Sequence, residues 1–297
     1  MIDTIQNKKE ISKKLKERAI FEGFTIAGIA SIPGSSRIKL RTNALERWLS
    51  NNYHAEMKWM EAEKRKNISL HLEDARSVLC VGFTYINSQK NNNSLFKVGK
   101  FSQGEDYHKV IYKKLKNVGK WIDQEIPNCK WKICVDTSPL LEKAWAEESG
   151  IGWIGKNSNL INKKNGSWFT LGFMILTKDL VPDKPHQSLC GKCEKCIEHC
   201  PTKAIVEPFV IQSDLCIAYH NIESRENTIP KKIEKNLIVQ TITDDLIKKV
   251  ESLILEELEP LSDVRASSRY RLEIAQAMLR RALQELSGQE RLLISEL

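Results

Sequence analysis

Nowhere in this 297-residue chain do about 18 apolar residues run together, so no segment is expected to cross a bilayer as a helix. The first residues, Met1 to Lys8, hold no apolar stretch of the kind a secretory signal needs, and the expectation is a cytoplasmic protein with no membrane partner. No internal repeat recurs, and Asn91-Asn92-Asn93-Ser94 is the one clear loop-like polar run. Gly150-Ile151-Gly152-Trp153-Ile154-Gly155-Lys156-Asn157 looks superficially like a phosphate loop but has neither the G-x-G-x-x-G nor the Walker spacing, so no nucleotide site is expected there. Cysteine is missing altogether after Cys216. That last absence limits how much metal the chain can hold.

The residues that are present describe a folded protein. A hydrophobic share of 41% beside 28% charged residues argues against wholesale disorder. The length exceeds a typical domain of about 100 to 200 residues, which leaves room for one large domain or two modest ones. A net charge of +8 lowers the cost of approaching a polyanion such as RNA, although short groups such as Lys8-Lys9, Lys113-Lys114 and Lys231-Lys232 also suit solvated helix faces.

Apolar positions at Ile5, Ile11, Leu15 and Ala19 before Gly23 predict an amphipathic helix over residues 5 to 21. Strands are predicted at Phe24 to Ala30, Ser77 to Ile86, Trp131 to Val135 and Trp168 to Leu176, with helices from Tyr107 to Ile122 and from about Pro139 to Glu148. In the second strand, Val78, Cys80, Gly82 and Thr84 should face opposite to Leu79, Val81, Phe83 and Tyr85. The alternation points to an α/β or α+β core over residues 1 to about 185. Residues 186 to 237 form a second, thiol-rich segment, and residues 238 to 297 read as a short helical tail, with helices starting near Thr243 and Ser267 or Ser268.

Four of the eight cysteines fall in Cys190-x2-Cys193-x2-Cys196-x3-Cys200-Pro201, the bacterial ferredoxin spacing. A short loop can wrap a cubane with three closely spaced thiolates, while the fourth is carried away by the next turn. Competing readings are a zinc site, whose ligands more usually come as separated C-x2-C pairs, and unligated thiols. Cys216 is a natural further ligand, whereas Cys80, Cys129 and Cys134 read as inert buried thiols. A second constellation is Asp136-Thr137-Ser138-Pro139, an acidic residue at a strand end before a helix. A carboxyl kept protonated by apolar surroundings there could act as a general acid, and an aspartate capping the following helix fits the same pattern.

Residues 1 to about 237 resemble the epoxyqueuosine reductase family. The matching pieces are Trp48-Leu49 through His54-Ala55-Glu56-Met57-Lys58-Trp59-Met60, Gly104-Glu105-Asp106-Tyr107-His108, Asp136-Thr137-Ser138-Pro139, Gly150-Ile151-Gly152 through Lys156-Asn157, Gly166-Ser167, and the thiol run with Cys216. The resemblance implies an α+β, cobalamin-binding reductase core over residues 1 to 185, joined to a ferredoxin-like iron-sulfur unit. It further implies cobalamin-dependent reduction of the epoxide of epoxyqueuosine in tRNA, with electrons relayed through 4Fe-4S clusters from an external donor to a monomeric enzyme. Asp136 matches the family's proton donor. Arg65, Gly99, Asp136, Leu160 and Leu171 fall where the family contacts cobalamin. Cys190, Cys193 and Cys196 match ligands of a first cluster, and Cys200 with Cys216 match ligands of a second.

The departures are equally specific. The family continues into a second run of three cysteines and then into helical repeats, and this sequence has neither. Leu261-Ser262-Asp263-Val264-Arg265-Ala266-Ser267-Ser268-Arg269-Tyr270-Arg271 and Leu279-Arg280-Arg281-Ala282-Leu283 resemble instead the C-terminal domain of the flavin subunit of carbon monoxide and xanthine dehydrogenases. Either two genes have fused, or unrelated coding fragments have been joined. The alternative function is an iron-sulfur electron-transfer or binding module without epoxide reduction. Two complete cubanes need eight thiolates and the segment offers five, so anaerobic reconstitution of the purified chain should give one labile cluster, about 3 to 4 irons by colorimetric assay. Stable retention of about eight irons would mean that other side chains complete the ligand set.

Overall fold

The computed structural model describes residues 2–85, 101 and 105–224, together with residues 248, 273, 276, 280, 282 and 283. Apart from those last six residues, all of them helical, the helices expected in the tail lie outside the described residues, as does the Asn91 to Ser94 run. The chain divides into two compact units, residues 1–92 with 98–233 and residues 93–97 with 234–297. The sheet, the helices that cover it and the thiol run all belong to the first unit. Among the described residues no helix is long and apolar enough to cross a membrane.

Four strands form one sheet: β1 (Ile26–Ser31), β2 (Ser77–Thr84), β3 (Trp131–Cys134) and β6 (Phe169–Leu176), in the order β1-β2-β6-β3. Every neighbouring pair is antiparallel, which makes the core α+β and not a parallel α/β sheet. The alternation read from the sequence is realised. Leu79, Val81, Met174 and Leu176 enter one apolar cluster, and Val78, Cys80, Phe173 and Ile175 enter another on the opposite face. Helices α1 (Ile2–Phe21) and α4 (Tyr107–Glu125) supply Leu15, Ala19, Ile111, Leu115, Val118 and Ile122 to the first cluster. Their spacing of three, four and seven residues is that of a buried helical stripe. The second face is covered by α2 (Ser36–Ser50), α5 (Glu142–Glu148) and the hairpin of β4 (Trp153–Ile154) and β5 (Leu160–Ile161).

Two features depart from the sequence reading. Helix α2 is absent from it, although Ser35 caps this helix by accepting from the Arg37 N–H and its Ile38 and Leu45 are seven residues apart on the buried side. Helix α5 starts at Glu142 and not at Pro139. The carbonyls that would begin the earlier turn are engaged elsewhere. Pro139 O accepts from His71 Nε2 at 2.9 Å, and Leu140 O accepts at 3.0 Å from Nη1 of Arg65, which lies on the short helix α3 (Glu63–Lys66). In the glycine-rich stretch, a Cβ on Gly152 would stand 2.3 Å from Ile161 O, so that glycine serves close backbone approach in the hairpin.

The thiol run contains the short helix α6 (Lys195–Glu198) and leads into a small hairpin of β7 (Ile205–Glu207) and β8 (Val210–Ile211). Main-chain bonds tie this hairpin to the core. Phe209 N donates to Lys156 O at 2.8 Å, Ser213 N to Tyr53 O at 2.9 Å, and Ile211 O accepts from Trp48 Nε1 at 2.6 Å.

Gly28 in β1 lies directly against the end of α5, where an added Cβ would sit 2.2 Å from Ser149 O. The obstacle is backbone and cannot rotate away. Gly28→Ala should therefore lower the free energy of unfolding by about 1–3 kcal/mol, read as a lower urea midpoint at unchanged slope. An unchanged midpoint would show that α5 is free to shift.

Candidate active site

The antiparallel order brings the C-terminal end of β3, the N-terminal end of β6 and the start of α4 to one end of the sheet. Asp136 follows β3 by two residues, in a left-handed backbone conformation with φ 44°. Its main-chain N–H donates to Glu142 Oε1 at 2.9 Å, and its Oδ2 lies 3.0 Å from His108 Nε2. The charge of this carboxyl also acts on Tyr107, whose ring stacks on that of His108. Leu141, not Asp136, occupies the N-cap of α5, and no side chain caps that helix, so the capping alternative for Asp136 does not hold. Five residues separate Asp136 from Glu142, the first residue of that helix. Apolar enclosure is not what the structure gives Asp136 either: its side chain is 54% exposed and its partners are polar.

The charged groups around it are held by their own contacts. Burial pulls the Arg65 guanidinium below its ordinary range, while the charges of Glu142 and Asp136 oppose that shift. Arg65 Nε is buried and unpartnered, a donor free for a further polar group. Glu142 is pushed up to about 8, first by burial and then by the negative charge of Asp136. Burial is also the first cause that raises Tyr107 far above the usual phenol range, with Asp136 and Glu142 adding to it. His108 is raised, chiefly by its bond to Asp136. Leu160 is buried with Leu140 and Ile154, and Leu171 packs against the same cluster from β6. Arg65 and Asp136 are thus brought together, Leu160 and Leu171 belong to the apolar wall behind α5, and Gly99 lies outside the described residues. Glu142, Tyr107 and His108 have no role that the sequence alone assigns. Their signal is present in the Asp106-Tyr107-His108 motif and in the run after Asp136, but only folding shows that the two motifs meet.

Of the thiols, Cys80, Cys129 and Cys134 are buried, Cys193 is exposed, and Cys190, Cys196, Cys200 and Cys216 are half-buried. Burial acts to raise the Cys200 thiol, yet the N–H groups of Ile205, Ala204 and Thr202 outweigh it and the net shift is downward. Backbone amides aimed at sulfur favour a thiolate, the form that binds iron. Among the described residues no three cysteine, histidine, aspartate or glutamate side chains stand so as to hold a single metal ion. A cavity of about 650 Å³ opens between α1 and α4, lined by residues such as Ile11, Lys14, Trp121 and Glu125, none of which belongs to the Asp136 cluster.

Known proteins share much of this chain. Residues 65–137, which begin at Arg65 and end just beyond Asp136, match the family model described as epoxyqueuosine reductase QueG, DUF1730. Residues 210–286 match the CO dehydrogenase flavoprotein C-terminal domain. The epoxyqueuosine reductase of Prochlorococcus marinus (strain NATL2A) is 51% identical over 229 residues, covering 77% of this chain and 73% of the relative. That of Synechococcus sp. (strain CC9605) is 49% identical over 228 residues, 76% of this chain and 71% of the relative. Among solved structures, selenomethionine-labelled epoxyqueuosine reductase superposes with a TM-score of 0.70 at 26% identity, over 77% of this chain and 61% of that one. Epoxyqueuosine reductase with an epoxyqueuosine-modified tRNA-Tyr stem loop gives 0.68 at 26% identity, over 76% and 60%. The chain therefore spans about three fifths of those solved proteins.

The raised Glu142 carboxyl has a measurable consequence for stability. Between its ordinary value of 4.5 and about 8 the folded chain holds a proton that the unfolded chain has released, so this group's contribution to stability declines as pH rises through that window. Glu142→Gln keeps an acceptor for the Asp136 N–H and removes the titration. Relative to wild type, the variant should gain stability as pH rises from 4.5 to 8, by about 1.4 kcal/mol per pH unit, in urea unfolding series at stepped pH. A difference that stays flat across the window would show that Glu142 ionises normally.

Proposed function

The chain belongs to the epoxyqueuosine reductase family, and on that premise we propose that it reduces the epoxide of epoxyqueuosine in tRNA, leaving the cyclopentene of queuosine. The observation that carries the reading is the Asp136 loop. Its carboxyl is presented outward at the sheet end, tied to His108, while its backbone is fixed by Glu142. Opening the epoxide ring breaks one C–O bond and leaves an alkoxide on the other carbon, a poor leaving group until a proton neutralises it. On this reading Asp136 delivers that proton.

Several residues support the cobalamin and one of the iron-sulfur clusters that the family resemblance implies. Arg65, with its unpartnered Nε, and the wall containing Leu160 and Leu171 would hold cobalamin beside Asp136. Bound there, cobalamin supplies the reducing centre, and an iron-sulfur cluster supplies its electrons singly from an external donor. Cys190, Cys193 and Cys196 would hold three corners of that cluster, and Cys200 and Cys216 are the thiolates that remain near them in sequence. The net charge of +8 supports attraction to tRNA phosphates. A second reading, electron transfer or cluster binding without epoxide reduction, is favoured by the lack of the second cysteine run. The two differ in whether the chain binds cobalamin, which absorbance spectra decide.

Asp136→Asn removes the donated proton but preserves the size of the side chain and leaves the main-chain bond to Glu142 available. It should retain folding and cobalamin binding and lose roughly 10²- to 10⁴-fold in epoxide reduction, assayed on modified tRNA. Near-normal turnover by this variant would remove Asp136 from the chemistry.

A further inference from the structure

We infer that His108 loads Asp136 with the proton that Asp136 delivers, passing it from imidazole Nε2 to carboxylate Oδ2. The inference rests on the function proposed above and adds a positioning and proton-supplying residue to it. Asp136 gives up a proton in each turnover of the proposed reaction, so that proton has to be resupplied by a neighbour or by water. His108 is built to be that neighbour. Asp106 caps α4 by accepting from the His108 main-chain N–H at 3.0 Å, and the same Oδ1 stands 2.8 Å from the ring Nδ1. The opposite ring nitrogen, Nε2, is 3.0 Å from Asp136 Oδ2. Tyr107 stacks on the imidazole with ring centroids 4.0 Å apart, which fixes the ring plane.

The other charged groups at the site are less suited. Glu142 meets the main-chain N–H of Asp136 and not its carboxyl, Arg65 bonds the Leu140 carbonyl, and Tyr107 holds its phenolic proton tightly. The groups facing the imidazole are Asp106 at the start of α4, Asp136 after β3, and Tyr107. Two carboxylates, one at each ring nitrogen, favour the imidazolium, and the direction of the His108 shift agrees. The step balances without electrons: the Nε2–H bond breaks, an O–H bond forms on Asp136, and the imidazole is left neutral with its proton on Nδ1, facing Asp106. A solvent proton then returns to Nε2, since the side chain is 38% exposed.

The test uses the full chain and two independent readouts. In NMR titrations, with His108→Gln identifying the signal, His108 should titrate above its ordinary value of about 6.5 in wild type and fall in both Asp106→Asn and Asp136→Asn. In epoxide reduction on modified tRNA, His108→Gln should lower kcat on the order of 10²-fold at alkaline pH with KM unchanged, and approach wild type at the acid end, where solvent loads Asp136 directly. An equal loss at every pH, no loss at all, or a His108 titration at or below the ordinary value would overturn the inference. Coupled titration in a chain that reduces no epoxide under any condition would instead overturn the proposed function, leaving the His108–Asp136 proton pair standing.

Discussion

The register of β2 against β6 is the constraint on which the rest of the molecule depends. Eight consecutive residue pairs, from Ser77 with Leu176 to Thr84 with Phe169, set which side chains point to each face. A slip of one residue would send Val78 and Cys80 to the face of α1 and α4, and Leu79 and Val81 to that of α5. Both faces are apolar, so composition alone would tolerate the slip. Shape does not. Gly172, opposite Val81, lies against Ile111 and Leu115 of α4, where an added Cβ would meet Ile111 at 2.6 Å.

From that register the geometry of the site follows. Strand β3 pairs with the C-terminal part of β6 and so releases the chain at Val135 toward the end of the sheet where α4 begins. The loop between β3 and α5 is then held from several directions: Glu142 and His108 bind Asp136, Arg65 binds Leu140 and His71 binds Pro139. The bonds to the Asp136 N–H and to the Pro139 and Leu140 carbonyls occupy main-chain groups that a helical turn would otherwise use. The carboxyl of Asp136 therefore sits on a segment whose backbone is fixed, although the segment itself is irregular.

Much of the fold was legible because strand alternation and helical stripes are local properties. Ser77 to Thr84 and Phe169 to Leu176 alternate between two buried faces, and α4 repeats apolar residues at helical spacing from a capping aspartate. Helix α2 was not legible in the same way, since only Ile38 and Leu45 are deeply buried and charged residues separate them. The late start of α5 was hidden for another reason: it is set by Arg65 and His71, about seventy residues earlier in the chain. At the site, Asp136 was legible as an acidic residue at a strand end and again from family resemblance, and Arg65 from the resemblance alone. Glu142 lies in the run after Asp136, but its raised affinity for a proton was not legible there, because it comes from burial beside Asp136.

The anchoring of the β7–β8 hairpin bears on how this region can change over evolutionary time. On the hairpin side, the attachment to the core uses the main-chain atoms of Phe209, Ile211 and Ser213. Nearly any side chain presents those same atoms. Phe209, whose ring lies under the Arg41 guanidinium, and the buried Ser213 are held by their side chains as well, so substitutions can accumulate at residues 210–212 without loosening the hairpin, whereas inserting or deleting a single residue would displace the bonds to Lys156, Trp48 and Tyr53 together. Comparison of distant relatives should accordingly find residues 210–212 variable in composition and the stretch constant in length, a pattern that scoring by residue identity would mistake for weak constraint.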